Sequence, residues 1–304
     1  MDHSSLDRLL RSSRTGPAAT AWPLGAPSTS FPIDTPYRAR PDLVKLNDAP
    51  ILLEDRDWQE WINEKEEFAR RHPLVLVDPH ISATRFDELT QRVISFFQSH
   101  VPDGPIDQNG HFPWRNHYRP QSALEALAAL SLSLQEDFAI MADPGAGALQ
   151  AAVLSVCFPS GWNPAEKIGQ SMAALHEPVA DNTALQSSMP ALSLAMSTKG
   201  PFVRYVWTLA DSAVRSRRPG EVQARPVTHV RNFWFRWERQ VTIPLGEGVS
   251  LFLIRLGLAD YQTIIRDKSD HDRLIEALES MTPTMIAYKG LHQIRELVLQ
   301  SNVP

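Results

Sequence analysis

The alternation of apolar and polar positions divides the chain into helical and extended stretches. Trp58, Trp61, Ile62 and Lys65 recur at helical spacing in a segment opening near Asp57. Residues 74–77 read as a short buried strand. Residues 85–99 are helical, with Phe86, Leu89, Val93 and Phe96 or Phe97 on one face. Residues 101–120 form a loop, and 122–134 an Ala/Leu-rich helix. Strands follow at 137–141 and 149–158. Asn163-Pro-Ala-Glu166 has the form of a helix start, with a capping Asn, Pro in the first turn and Glu three residues after the cap. That helix is expected to run to about His176 and stop before Pro178. A further helix is read at 184–196, then strands at 202–210, 230–243 and 249–258, the last two joined as a hairpin through Pro244-Leu-Gly-Glu-Gly248. Helices at 270–280 and 283–300 close the chain.

This order predicts an α+β fold: an antiparallel sheet of about five strands with helices on one face, plus flanking N- and C-terminal helices. Residues 1–35, rich in small residues and Pro, read as a disordered tail. Residues 36–134 read as a mainly helical region, 135–262 as the sheet-bearing core, and 263–304 as helices packed on that core. The strand and helix order also matches that of a PAS domain.

Composition narrows the function classes. The 304 residues carry a net charge of −5, which disfavours a nucleic-acid binder. No apolar run approaches membrane-spanning length and no secretory signal opens the chain, so a cytoplasmic protein is expected. A single cysteine, Cys157, excludes an internal disulfide and a four-thiolate iron–sulfur cluster. It lies in an apolar strand, where a free Cys usually packs. Neither a Gly-x-Gly-x-x-Gly nor a Walker A sequence is present, and no Gly-x-Ser-x-Gly or His-Glu-x-x-His.

Four sets of residues could carry chemistry. His176 follows Ile168 and Met172 at steps of four, on one apolar helix face. It is either a core histidine bonded to a backbone carbonyl or an axial ligand to haem iron. On 233–243 the period of two puts Phe233, Phe235, Trp237, Arg239, Val241 and Ile243 on one face, and Arg236, Glu238, Gln240 and Thr242 on the other. Arg239 is the lone charge on the apolar face and calls for an anionic partner, a protein carboxylate or a haem propionate. Lys167 stands early in the capped helix, against the dipole; it is either solvated or faces an anion. His111 and His117 form a weak metal signal in a Pro-rich loop.

Several pieces in succession resemble one family: Leu134-Gln-Glu-Asp-Phe-Ala-Ile-Met141, Val156-Cys-Phe-Pro-Ser-Gly-Trp162, Glu166-Lys-Ile-Gly169, Leu175-His-Glu-Pro-Val179, Trp237-Glu-Arg-Gln240 and Ala287-Tyr-Lys-Gly-Leu291. Over residues 50–300 the chain resembles the alpha subunit of haem-dependent oxidative N-demethylase. The resemblance implies a PAS-like haem domain acting as a monooxygenase on carbon next to nitrogen, with formaldehyde leaving. It implies haem b held by a histidine, here His176, with Lys167, Arg204 and Arg239 as partners of the propionates. It implies Glu238 as the contact of a substrate ammonium. Electrons would come from NAD(P)H through a reductase subunit carrying flavin and an iron–sulfur cluster. The chain departs from the family pattern at Val206, within Arg204-Tyr-Val-Trp207, where Asn is usual, and at Ala180, where a second Pro is usual. A larger substrate, a non-catalytic haem sensor and a cofactor-free assembly subunit stand as the alternatives.

Overall fold

The computed structural model describes residues 1, 3–12, 14, 33, 35–38, 43–53, 57–223 and 225–301. Most of the expected tail, residues 15–32, lies outside the described residues. Its start does not read as a tail: α1 (His3–Arg11) is helical, and Leu9 is fully buried. The elements then run β1 (Val44–Lys45), α2 (Trp58–Ala69), β2 (Leu76–Val77), α3 (Ala83–His100) and α4 (Ala123–Ser131). Next come β3 (Asp137–Ala142), β4 (Gln150–Ser155), α5 (Met172–His176), α6 (Thr183–Thr198), β5 (Phe202–Ala210), β6 (Trp234–Gly246) and β7 (Val249–Asp260). The C-terminal helices are α7 (Tyr261–Ile264), α8 (Lys268–Ser280), α9 (Pro283–Tyr288) and α10 (His292–Gln300). No helix among the described residues is long and apolar enough to cross a membrane.

All seven strands form one antiparallel sheet in the order β1-β5-β6-β7-β3-β4-β2. The expected sheet of about five strands is thus two short of the observed one. The additional strands are the two-residue edges β1 and β2. A two-residue strand has too few positions to display alternation, and residues 74–77 show their pairing only at Leu76 and Val77.

Helices cover both faces, not one. Directly paired residues of an antiparallel ladder share a face, so Phe138, Leu253 and Val241 lie together, as do Ala139, Phe252 and Thr242. The first group packs against α2, α3 and α4 through Ile62, Leu89, Val93 and Leu127. Further along that face, Phe235 and Ala259 meet the C-terminal helices through Leu274, Leu278 and Met285. Gly257 is needed there: the Trp237 indole lies against the strand, and a Cβ at 257 would come within 2.2 Å of two ring atoms. The second group packs under α5 and α6, against Met172, Leu185, Met189 and Met196. We call these the closed face and the open face, for reasons that follow from β6.

Two expected helices break at glycines. Asn163 does cap a turn, its Oδ1 accepting from Ala165 N, but only a 3-10 turn, Pro164–Glu166, follows. Gly169 then adopts φ +76. The next residues pair back to β4, with Gly169 N donating to Ala151 O and Met172 N to Leu149 O at 2.8 and 2.9 Å. A new helix, α5, starts at a second cap, Ser171. The segment 283–300 divides likewise at Gly290, φ +66, into α9 and α10. Strand β6 begins at Trp234, after a 3-10 turn over Val230–Asn232.

Candidate functional site

His176 closes the short helix α5. Its Nδ1 lies 2.8 Å from the carbonyl of Met172, one turn back. A carbonyl only accepts, so Nδ1 carries the proton and Nε2 presents its lone pair. Nε2 has no hydrogen-bond partner among the described residues. Burial holds the imidazole pKa below its ordinary value; the Met172 bond opposes this, while the positive charges of Arg204 and Lys167 add to it. The ring is therefore neutral at neutral pH, the form that ligates a metal.

The helix is anchored on three sides. Met172 is buried among the side chains of the open face. Asn182 Nδ2 donates to the carbonyls of His176 and Glu177, at 3.1 and 2.8 Å, and Gln186 Nε2 to that of Ala173 at 2.9 Å. The loop that follows turns at Asp181, whose carboxylate accepts from Thr282 and Thr284 at the start of α9. The histidine helix is so tied to the C-terminal helices.

Below it, the open face of the sheet is polar and apolar in patches. Arg204 pairs with Gln240 across β5 and β6, and Val206 with Glu238. Arg204, Val206, Glu238, Gln240, Phe252 and Ile254 are all only half-buried, although β6 and β7 lie inside the sheet. Both oxygens of Glu238 accept hydrogen bonds, Oε1 from Ser160 at 2.6 Å and Oε2 from Gln240 at 2.8 Å. At the β5 edge, Lys289 Nζ donates to the Trp207 carbonyl at 2.6 Å and lies 5.2 Å from the Tyr37 ring centroid. Burial brings the Lys289 pKa down to about 8; Glu238 opposes this and Arg204 adds to it. Glu238, Arg204 and Lys289 therefore share one electrostatic neighbourhood, and Arg204 links it to His176.

Of the expected site residues, His176, Lys167, Arg204 and Glu238 belong to this side of the sheet. Arg239 does not. It lies on the closed face, almost wholly buried, and donates to the backbone carbonyls of Ile51, at 2.9 Å, and of Pro50. Two carbonyls, both acceptors fixed in a loop, take its donors, and the charge of the Glu136 carboxylate favours the guanidinium as well. Parity alone separates Arg239 from Glu238, since neighbours on a strand face opposite ways. The shared helix of Ile168, Met172 and His176 is also corrected by the break at Gly169; Ile168 still packs against the same open-face cluster.

Cys157 is buried just past β4 on the closed face, and burial raises its thiol pKa to about 12. His111 and His117 flank Asp107 Oδ2 at 3.6 and 3.7 Å. No cluster of three or more His, Cys, Asp or Glu suited to a metal ion occurs among the described residues. Sequence reasoning did not single out Ser160, Arg236, Tyr288 or Lys289. The last two stand in the motif 287–291; their place beside Glu238 depends on the fold of α9 against the β5 edge.

The donor set fits haem. One neutral imidazole offers a free nitrogen to iron, two cations beside it suit two propionates, and half-buried Val206, Phe252, Ile254, Ile168 and Leu175 offer apolar surface to a macrocycle. Against protein-family models, residues 42–299 match the one described as haem-dependent oxidative N-demethylase, alpha subunit-like. A search of curated proteins gives no match.

Proposed function

The chain belongs to the haem-dependent oxidative N-demethylase, alpha subunit-like family, and from that premise we propose that it is the haem-binding subunit of a monooxygenase that oxidises carbon next to nitrogen in an amine. The observation that carries the reading is His176: its Nδ1 proton is committed to Met172, its Nε2 is open, and Arg204 and Lys167 stand beside it. His176 would ligate the iron of haem b, and Lys167 and Arg204 would meet the propionates. When bound, haem supplies the redox centre at which oxygen is activated. The chain's residues supply the rest. The α5 anchors hold the imidazole, the Met172 carbonyl fixes its tautomer, and Glu238 receives the ammonium group of the substrate.

The five inner strands support a PAS-like core over 135–262. Counted in chain order from β3, they run third, fourth, fifth, first, second across the sheet, with α5 and α6 inserted between the second and third. Electrons would come from NAD(P)H through a reductase subunit carrying flavin and an iron–sulfur cluster, since one cysteine cannot ligate such a cluster here.

The test is spectroscopic first. The purified chain, reconstituted with haem, should show a Soret band that His176→Ala shifts or abolishes. Unchanged haem content and band position in the variant would refute the assignment. Oxygen consumption and formaldehyde release with a methylated amine should then require an added reductase. Sustained turnover with NADPH alone would contradict the division of labour.

A further inference from the structure

Glu238 has an unusual neighbour. Arg236 lies two residues before it on the same face of β6, yet the two do not pair directly. Ser160 stands between them: Arg236 Nε is 2.8 Å from Ser160 Oγ, and Ser160 Oγ is 2.6 Å from Glu238 Oε1. The guanidinium can only donate, and the serine has one proton, so the chain of hydrogen bonds has one direction, from Arg236 through Ser160 to Glu238. Gln240 Nε2 holds the other carboxylate oxygen at 2.8 Å.

Arg236 is itself fixed. It is 1% exposed. Its Nη1 donates to the carbonyls of Val214 and Arg215 at 3.3 and 2.8 Å, and its Nη2 to those of Phe158 and Pro159 at 3.0 and 3.5 Å. These bonds tie the 158–160 turn and the 214–215 loop to β6. Phe158 N is also held by Asp137 Oδ2 at 2.8 Å, so the turn that carries Ser160 is anchored to β3 as well. Tethering two loops accounts for the Nη contacts. It does not account for a hydroxyl placed between guanidinium and carboxylate. A direct pair would engage the carboxylate with a full charge. The relay instead orients one oxygen and leaves each oxygen a further lone pair on a half-exposed face.

We propose that Arg236 and Ser160 are positioning residues that fix the Glu238 carboxylate to accept the N–H of a small alkylammonium ion. The proposal rests on the amine-oxidation reading above and adds the machinery for its charge selectivity. Val206, the half-buried cross-strand neighbour of Glu238 on β5, is aliphatic and suits an alkyl group of such an ion.

The full chain can be titrated by ligand-observed NMR with isopropylammonium and its neutral isostere isopropanol. Ser160→Ala should lower the affinity for isopropylammonium about 10-fold, the scale of losing a hydrogen bond to a charged group, and leave that for isopropanol unchanged. Ser160→Thr keeps the hydroxyl and should restore the preference, which a purely structural role for the turn would not produce. Should alanine unsettle the turn, Ser160→Cys carries the same expectation with a smaller fall. Glu238→Gln should abolish the preference. An ammonium preference that is undiminished in Ser160→Ala, or that survives in Glu238→Gln, overturns the proposal. The titration does not use the haem spectrum, so a missing Soret band refutes haem-dependent oxidation separately from the relay.

Discussion

Glu238 and Arg239 are adjacent in sequence, and their surroundings differ in kind. On the closed face Arg239 is sealed beneath the 50–51 loop, and the carbonyls of Pro50 and Ile51 take its donors. Arg255, next to it across the ladder, also donates to backbone, to Leu53 O at 3.0 Å and Leu256 O at 2.9 Å. On the open face Glu238 and Gln240 are half-buried, and their partners are other side chains. A buried cation satisfied by main-chain acceptors joins two pieces of chain. A half-buried anion held by side-chain donors keeps lone pairs on its exposed side. The comparison shows that burial of charge by itself does not mark a site.

The sharpest way to break this contrast is Arg239→Met. It leaves two buried carbonyls without donors and should cost about 3 kcal/mol of stability in a urea melt of the haem-free chain. Haem titration of the folded variant should be unchanged. A fall in haem affinity without a loss of stability would move Arg239 to the open face's chemistry.

A second measurement sharpens the open side. The Lys289 pKa of about 8 lies below the unfolded value near 10.4. Between the two the unfolded chain binds more protons, so stability should rise as pH climbs from about 8 towards 10. Lys289→Met should flatten that rise. A rise of equal slope in the variant would mean that another group is responsible.

The smallest effect is expected at Asp181→Ala. Removing the acceptor of Thr282 and Thr284 should cost about 1 kcal/mol and speed hydrogen exchange at the start of α9. Exchange rates there that match those of the unmodified chain would show that the link between the α5–α6 loop and the C-terminal helices is idle.

Much of this was legible in the residues. The period of two in 233–243 placed Arg239 and Glu238 on opposite faces, and the structure keeps them there. Burial of Arg239 followed from the same pattern, but its partners lie about 190 residues earlier in the chain, and strand periodicity carries no information on which loop covers a face. The helix expected from Asn163 and Pro164 ran through Gly169, whose pairing, with that of Met172, to the β4 segment is a tertiary effect. Glu238 was reached through the resemblance. Its relay was not, because Ser160 and Arg236 meet only when the turn after β4 folds over β6.

The two shortest strands bear on how this chain can be cut. β1 and β2 come from the N-terminal region and cap opposite edges of the sheet, β1 on β5 and β2 on β4. The same region supplies Lys65, buried and 3.0 Å from Asp137, and the Trp58 indole that donates to Ser133 O at 2.8 Å. A fragment beginning near residue 135 would uncover the outer edges of β4 and β5 together with an apolar sheet face, the features through which sheets join edge to edge into aggregates. The segment before β3 thus acts as a built-in solubility guard for the sheet, and the core over 135–262 is not expected to be an autonomous unit.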